Sequence, residues 1–343
     1  MAISKKGKVR IQDIAAALNI SASSVSRALN NHPRISKETK DKVKRIATSM
    51  GYYTGMPELI SPEKTEAIVI LTSSLESKLY REIIQGATNY LEEQNYQTLI
   101  IDTSGEDEQV ISFFKSYKKY GISGIIHLIS NRLVGGDFYA LPLANELPIV
   151  TVFEPDSHVG ISSVLPDMFQ GVHRIVSYLK TMNTSKIALL LDDSDAPHDF
   201  HIANSFESTF EMLDMDLNSL DIYYLETEDI KSVDRIEILL KSDNRPQVMI
   251  VKGILEALEV TNISEKLGIN IPKDLLLISI CADSNVPSLA NNISMLKIPA
   301  FGMGYDAAEI LLQKINYPDS DITTVIKPVS FLLKGSAIRL KAQ

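Results

Sequence analysis

The N-terminal part of the chain carries apolar positions at helical spacing in three short segments. The first segment has the i, i+3, i+4, i+7 stripe of an amphipathic helix, formed by Ile11, Ile14, Ala15 and Leu18. The second begins at the N-cap residue Ser21 and ends before the turn at Pro33, and the third begins at Ser36 and ends at Gly51. Two short helices joined by a tight turn and covered by a third predict a helix-turn-helix.

From Ala67 onward the chain alternates short apolar runs with longer segments of helical periodicity. The runs predict strands at residues 67–71, 98–101, 124–128, 149–153, 186–191, 223–225, 248–251, 275–280 and 324–326. The periodic segments predict helices near residues 77–94, 109–120, 168–182, 203–213, 233–240, 254–267 and 305–315. This alternation indicates parallel sheets with helices on both faces, and the segment is long enough for two α/β lobes.

Charge is distributed unevenly between these two parts. Residues 1–60 hold eleven Lys and Arg against four Asp and Glu, a net charge of +7, and the remainder carries −16. A small basic head on an acidic body favours a module that binds a polyanion. The alternative is a solvated run of charges with no partner.

The second predicted helix has a face suited to DNA. It exposes three small or polar residues and one arginine: Ala22, Ser23, Ser26 and Arg27. Small residues allow a helix to lie deep in the major groove, where an arginine can donate to guanine or phosphate. Any three-helix bundle would show the same spacing, but the positive charge of the head favours DNA.

Composition excludes several classes of protein. The 343 residues are 45% hydrophobic and 22% charged, unlike a disordered or collagen-like chain. No stretch reaches roughly 18 consecutive apolar residues, and the basic start lacks the apolar region of a secretory signal. The single cysteine, Cys281, can form neither an internal disulfide nor a cysteine zinc site. We expect a soluble cytoplasmic protein without a membrane partner.

Enzyme motifs are missing from the sequence. It has no P-loop, no His-Glu-x-x-His and no Gly-x-Ser-x-Gly, and its six histidines are scattered. The nearest match to a cofactor motif is Gly302-x-Gly304-x-x-Ala307, which does not emerge directly from a predicted strand and is not followed by a βαβ unit. We therefore expect no enzymatic activity, no cofactor and no metal.

The head closely resembles that of LacI/GalR-family repressors. The motifs that carry the resemblance are residues 9–15, residues 20–30 with the run Val25-Ser26-Arg27-Ala28-Leu29-Asn30, residues 35–39 and residues 50–52. The resemblance implies that Ala22 and Ser23 read bases and that Arg27 contacts the operator. It places four residues at phosphate-contacting positions: Ser21, Asn30, Arg34 and Ser36.

The linker, residues 53–65, departs from the family pattern. The family has Arg-Pro-Asn and a small hinge helix, whereas Pro57 and Pro62 leave room here for at most one helical turn. Glu58 would be repelled by phosphate in a minor groove, although Leu59 or Ile60 could still supply an apolar wedge. We expect no ordinary hinge helix.

The body, residues 66–343, resembles the family's effector core, which is similar to periplasmic sugar-binding proteins. The resemblance implies two lobes with a ligand in the cleft between them, following an all-α head of residues 1–52. The chain is expected to cross between lobes near residues 161–164, 292–296 and 327–330. The first lobe then comprises residues 66–162 and 296–327, and the second comprises residues 163–294 and 328–343.

Four residues correspond to effector-contacting positions in this resemblance: Ser73, Tyr80, Glu154 and Asp283. The alternative for both acids is an exposed loop position. The family's Arg-x-x-Gly appears here as residues 202–205, beginning with Ile202, and its Asn-Asp pair appears as residues 253–254, so two polar contacts are lost. His198 and His201 could supply donors instead. Two carboxylates without an arginine favour a neutral sugar over an anionic one, unless Lys252 or His201 reverses the sign.

The sequence thus predicts a transcriptional repressor that binds double-stranded operator DNA as a homodimer, since two-fold protein symmetry matches a pseudo-palindromic site. A small molecule, expected to be a carbohydrate, would control its DNA affinity. Two alternatives remain: a sugar-binding protein, and a divergent regulator whose pocket is vestigial or takes a ligand other than a sugar.

Overall fold

A computed structural model of the chain describes residues 11–29, 35–49, 67–103, 111, 113, 117, 121–128, 146–153, 161–192, 197–225, 232–282 and 287–339. The chain divides into two compact units, residues 1–65 and 66–343. Asn30, Arg34, Glu154, Asp283 and the linker of residues 53–65 lie outside the described residues, so the expectations placed on them remain predictions.

The first unit contains three helices: α1 (Ile11–Leu18), α2 (Ala22–Leu29) and α3 (Lys37–Ser49). Their apolar faces form a small core of Ile14, Ala15, Val25, Ala28, Val43 and Ala47. Helix α1 ends where Asn19 takes a left-handed φ of 49°, a conformation that asparagine tolerates better than most residues. The hydroxyl of Ser21 then accepts a hydrogen bond from the amide of Ser24 at 3.1 Å, which caps α2.

The second unit contains two six-stranded sheets. The first lobe has β1 (Ala67–Thr72), β2 (Gln97–Asp102), β3 (Ile122–Leu128), β4 (Ile149–Val152), β5 (Ser162–Pro166) and β11 (Thr324–Lys327) in the order β11-β5-β4-β3-β1-β2. All of its strand pairs are parallel. The predicted parallel α/β fold is confirmed here.

The second lobe is built on the same plan. Its strands are β6 (Ile187–Leu191), β7 (Leu220–Tyr224), β8 (Val248–Lys252), β9 (Leu276–Ala282), β10 (Ser294–Ile298) and β12 (Ser330–Leu332), in the order β12-β10-β9-β8-β6-β7. Only β12 pairs antiparallel among these described strands. Its helices are α5 (Met168–Thr181), α6 (Pro197–Met212), α7 (Ser232–Lys241) and α8 (Ile254–Lys266).

In the order of the described strands, the chain passes between the two sheets three times, after β5, after β10 and after β11. Strand β5 belongs to the first sheet and β10 to the second, so the first two passages follow Pro166 and Ile298. These positions are a few residues later than the ranges expected from the sequence, because both ranges contain strands that the pattern did not predict. The third passage lies between Lys327 and Ser330.

Two helices of the first lobe, α4 (Lys78–Glu93) and α9 (Ala300–Asn316), cross in close contact. A Cβ atom on Gly304 would lie 1.8 Å from the carbonyl oxygen of Ile83, and one on Gly86 would lie 1.9 Å from that of Phe301. Such distances are possible only for glycine. Gly304 of the Gly-x-Gly-x-x-Ala motif therefore has a packing role in α9.

No helix in the described part of the chain is both long enough and apolar enough to cross a bilayer.

Candidate functional site

The exposed face of α2 is the first candidate site. Val25 and Ala28 face the core, while Ser23 and Arg27, four residues apart, lie on the exposed side. Ala22 and Ser26 flank them and are half-buried. The four residues expected to face DNA thus lie along one side of a short helix, with the arginine in its last turn.

Two of the predicted phosphate contacts have local structural roles. The Ser21 hydroxyl caps α2 and lies 2.9 Å from the hydroxyl of Ser23. The Ser36 hydroxyl accepts a hydrogen bond from the Thr39 amide at 3.3 Å and caps α3. Helix N-termini bind anions well, so these roles are compatible with phosphate binding, which stays a prediction.

The second candidate site is the cleft where the carboxyl ends of the two sheets meet. Ligands bind open α/β sheets at this end of the strands. From the first lobe, Tyr80 in α4 and Phe153 after β4 reach the boundary; from the second lobe, His198 in α6 meets them. The His198 ring centroid is 6.0 Å from that of Tyr80 and 5.7 Å from that of Phe153.

Two of the expected effector residues, Ser73 and Tyr80, come together in this cleft. Burial raises the pKa of Tyr80 to about 12, while nearby Lys252 and a hydrogen bond with the Ser73 side chain act to lower it. The tyrosine hydroxyl is therefore protonated at physiological pH.

Phe153 was not predicted as a site residue. It is buried, and its φ of 82° lies in the left-handed region that a bulky residue rarely adopts. Such strain persists only where the surroundings hold the backbone, and it is concentrated at functional sites. The sequence carried no signal for this conformation.

A partly buried charge cluster lies next to His198 of the aromatic contact. Lys252, the last residue of β8, places its Nζ 2.6 Å from Asp199 Oδ1 and 2.8 Å from Asp192 Oδ2, and also contacts His198 Nε2. Burial acts to lower the pKa of Lys252, but the carboxylates of Asp199 and Asp192 outweigh it and raise the pKa above its ordinary value. The lysine is therefore charged.

The cluster carries one net negative charge, because two carboxylates surround one ammonium. Asp199 is fully buried and Lys252 is 13% exposed, whereas Asp192 is 39% exposed. The carboxyl ends of β6 and β8 could have suggested Asp192 and Lys252 from the sequence. Their pairing with Asp199 could not be foreseen.

The lost Asn-Asp pair has a backbone consequence. Gly253 takes a φ of 102°, and a Cβ there would lie 1.8 Å from a carboxylate oxygen of Glu256. Its carbonyl accepts a hydrogen bond from the Ser279 hydroxyl at 2.8 Å. At this position the chain thus offers a tight turn in place of a polar side chain. His201, the other candidate donor, lies on α6 one turn from His198.

Among the described residues, no group of three or more His, Cys, Asp or Glu side chains is placed to hold a metal ion.

Two family models match the sequence. The model for bacterial regulatory proteins of the lacI family matches residues 10–55, and the model for the periplasmic binding protein-like domain matches residues 176–337. Among proteins with an assigned role, the ribose operon repressor of Bacillus subtilis is 21% identical over 323 residues, which are 94% of this chain and 96% of the repressor.

Solved structures show the same fold. A LacI family transcriptional regulator from Enterococcus faecium with bound ribose has a TM-score of 0.69 and 19% identity, covering 80% of this chain and 100% of its own. The lac repressor dimer bound to operator and the anti-inducer ONPF has a TM-score of 0.70 and 16% identity, covering 97% of this chain and 100% of its own.

Proposed function

The chain belongs to the LacI family of bacterial regulatory proteins, and from this premise we propose that it is a repressor whose operator affinity is controlled by a neutral sugar. The observation that carries the proposal is the pairing of two separate sites on one chain. A helix-turn-helix head exposes Ser23 and Arg27 of α2, and a two-lobed body closes around a polar and aromatic cleft.

Binding to double-stranded DNA is supported by the basic head and by the short side chains on α2. With Ala22 and Ser23 so small, base reading rests mainly on Arg27, which can donate to the guanine edge. One head reads half a site, so we expect a homodimer on a pseudo-palindromic operator. Joining two heads makes the second contact intramolecular and raises the affinity of the pair.

A neutral ligand is supported by the charge of the cleft. Lys252 is already neutralised by Asp192 and Asp199, and the cluster keeps one negative charge that would repel a phosphate or carboxylate. The rings of Tyr80 and Phe153 pack together at the cleft and make its wall partly apolar, and Ser73 and Tyr80 bring hydroxyls to it. The ribose bound to the Enterococcus faecium regulator gives the first probe.

A regulator of transcription works where the chromosome is, so the proposal places the protein in the cytoplasm. It assigns no catalytic step to the chain, in keeping with relatives that are regulators.

The test begins with selection of DNA from a random pool by the full-length protein. We expect a motif with two-fold symmetry, followed by tight binding to that motif and at least a tenfold change in affinity on adding a neutral sugar. Enrichment of no sequence would contradict DNA recognition. An operator affinity unaffected by D-ribose, D-glucose, D-galactose and cellobiose would contradict control by a neutral sugar.

A further inference from the structure

Lys252 is surrounded by polar partners inside the protein. An ammonium group carries three N–H bonds and accepts none. The structure provides three acceptors: Asp199 Oδ1 at 2.6 Å, Asp192 Oδ2 at 2.8 Å, and His198 Nε2. The charge of Lys252 is therefore already paired with two carboxylates of the protein, although the residue lies at the carboxyl end of β8.

The contact with Lys252 sets the hydrogen-bonding direction of His198. Because an ammonium can only donate, Nε2 of His198 accepts, and a neutral imidazole then carries its proton on Nδ1. Burial and the neighbouring Lys252 hold the pKa of His198 well below its ordinary value, so the ring is neutral at physiological pH.

The Nδ1 atom of His198 is buried and has no hydrogen-bond partner among the residues that the structure describes. The ring lies where the two lobes meet, against Tyr80 and Phe153 of the first lobe. A buried donor without an acceptor is unfavourable, and a ligand that brings an acceptor relieves that cost. The buried donor thus points to a ligand that brings an acceptor to this part of the cleft.

We propose that His198 is a specificity-determining residue of the cleft, which donates from Nδ1–H to an uncharged oxygen of the ligand, and that Lys252 is the positioning residue that orients its ring. The inference rests on the proposed function and narrows it. Where Ile202 replaces an arginine, the chain supplies an uncharged donor from the preceding turn of α6.

The matching ligand is hydroxyl-rich and uncharged. A hydroxyl oxygen accepts from Nδ1–H, and a neighbouring hydroxyl can donate to Asp192, the exposed member of the cluster. An anionic ligand would meet the carboxylates of Asp192 and Asp199, and the one cation beside them, Lys252, is already paired with both.

The ring proton can be observed without any ligand. In full-length protein labelled with ¹⁵N-histidine, the His198 signals are assigned by comparison with His198→Phe. We expect the Nδ1–H form, neutral from pH 8 to about pH 6. A proton on Nε2, or a titration near the ordinary pKa of about 6.5, overturns the proposal.

Lys252→Met tests the positioning role. The groups facing the ring are Lys252 from β8, Asp192 after β6, Tyr80 from α4, and Asp199 and His201 from α6 itself. Without the ammonium, the carboxylates remain, and the pKa of His198 should rise from its lowered value, while burial continues to hold it down. An unchanged titration contradicts the role of Lys252. If the variant does not fold, the tautomer of His198 in the wild-type protein decides whether the proposal holds.

Ligand binding is measured by calorimetry with D-ribose, D-glucose, D-galactose and cellobiose as neutral probes and D-ribose 5-phosphate as the anionic probe. His198→Phe keeps a ring against Tyr80 and Phe153 but removes the donor, whereas His198→Asn restores an N–H close to the position of Nδ1. For the tightest neutral probe we expect affinity about tenfold weaker in His198→Phe and within about threefold of wild type in His198→Asn. Equal affinity of wild type and His198→Phe, tighter binding of the phosphate, or binding of no neutral probe overturns the proposal.

Operator binding without sugar separates this inference from the proposed function. The head is a compact unit of its own, so both His198 variants should bind the selected operator as wild type does. If the wild-type protein does not bind DNA with sequence specificity, the proposed function fails. Normal operator binding with His198→Phe indistinguishable from wild type toward sugars means that only the role of His198 fails.

Discussion

The ammonium of Lys252 lies 2.6 Å from Asp199 Oδ1, and the Asp199 side chain is fully buried. The contact joins the carboxyl end of β8 to the first turn of α6. The other Asp199 oxygen accepts a hydrogen bond from the Asp192 amide at 3.0 Å, so the loop after β6 is held to the same carboxylate. This relationship fixes the second-lobe wall of the cleft.

Removing the cation should destabilise the protein strongly, because two carboxylates would lose their shared partner. We expect Lys252→Met to lower the free energy of unfolding by roughly 3–5 kcal/mol in urea titrations near pH 7. Lys241→Met, which removes an exposed lysine paired with Glu237, should change it by less than about 1 kcal/mol. Since the pKa of Lys252 is raised, its contribution persists below about pH 10 and is lost as the pH rises through the folded-state pKa. Equal effects of the two substitutions would contradict the cluster.

Acid should destabilise the protein through two histidines whose pKa is lowered in the folded state. Burial lowers the pKa of His127 in β3 to about 4, and burial and Lys252 lower that of His198 well below its ordinary value. The unfolded chain therefore binds more protons below about pH 6.5, and stability falls as the pH drops from there toward 4. Each histidine contributes up to about 1.4 kcal/mol per pH unit.

The measurement for this pH dependence is the free energy of unfolding of wild type, His127→Phe and His198→Phe between pH 7 and 4.5. Each substitution should reduce the pH dependence of the free energy of unfolding by an amount that corresponds to at most one bound proton. A slope that neither substitution changes would mean that folding does not lower the pKa of either ring.

Two glycines in the same helix should respond differently to alanine. A Cβ on Gly304 would lie 1.8 Å from the backbone oxygen of Ile83, so Gly304→Ala must separate α9 from α4 and should cost several kcal/mol. A Cβ on Gly302 meets only the Lys327 side chain, at 3.6 Å, an ordinary contact. Gly302→Ala should be neutral or stabilise by up to about 1 kcal/mol through helix propensity. Thermal unfolding of Gly302→Ala and Gly304→Ala checks this difference. A destabilised Gly302→Ala would show that the Gly-x-Gly-x-x-Ala motif has a role besides the packing of α9 on α4.

Arg27→Ala should weaken binding to the selected operator by about 1–3 kcal/mol and relax the preference at one base pair in each half-site. Arg45→Ala, which removes an exposed arginine from α3, should weaken all sequences equally or have no effect. Fluorescence anisotropy on the operator and on scrambled DNA provides the comparison. A loss that is equal on both DNAs for Arg27→Ala would make Arg27 a phosphate contact.

Much of the architecture could be predicted because it depends on local pattern. Helical spacing located the core of the head, and the alternation of apolar runs with helical segments indicated two parallel sheets. Strands β5, β10 and β12 were missed because they are short and interrupted by Ser, Lys or Pro, so that neither period 2 nor a continuous apolar run stands out. The two missed strands β5 and β10 also explain why two lobe passages were expected too early.

The cleft could be predicted only in part. Ser73 and Tyr80 follow a strand that was correctly located. Ser73 lies in the loop after this strand and Tyr80 in the helix that follows, so a short stretch of chain brings them together. Lys252 and Asp199, by contrast, are far apart in the sequence, and their contact depends on the neighbouring positions of β6 and β8 in the sheet. The backbone conformation of Phe153 is a tertiary effect that no local pattern encodes.

The charge of the cleft predicts how Asp192→Asn will alter ligand preference. The cluster of Lys252 with two carboxylates has one net negative charge, and Asp192 is the member most exposed to a ligand. Replacing its carboxylate by an amide makes the cluster neutral while keeping an oxygen that can accept from Lys252. At an effective dielectric constant near 20, a charge several ångströms away contributes on the order of 1–2 kcal/mol. We therefore expect the affinity ratio of D-ribose 5-phosphate to D-ribose to rise by about tenfold, measured by calorimetry on the full-length protein.

Asp214→Asn, at an exposed left-handed position beyond α6, is the matched control for Asp192→Asn and should leave this affinity ratio unchanged. A ratio that shifts equally in both variants would reflect the overall charge of the protein, and a ratio that stays constant in Asp192→Asn would place the ligand away from this cluster.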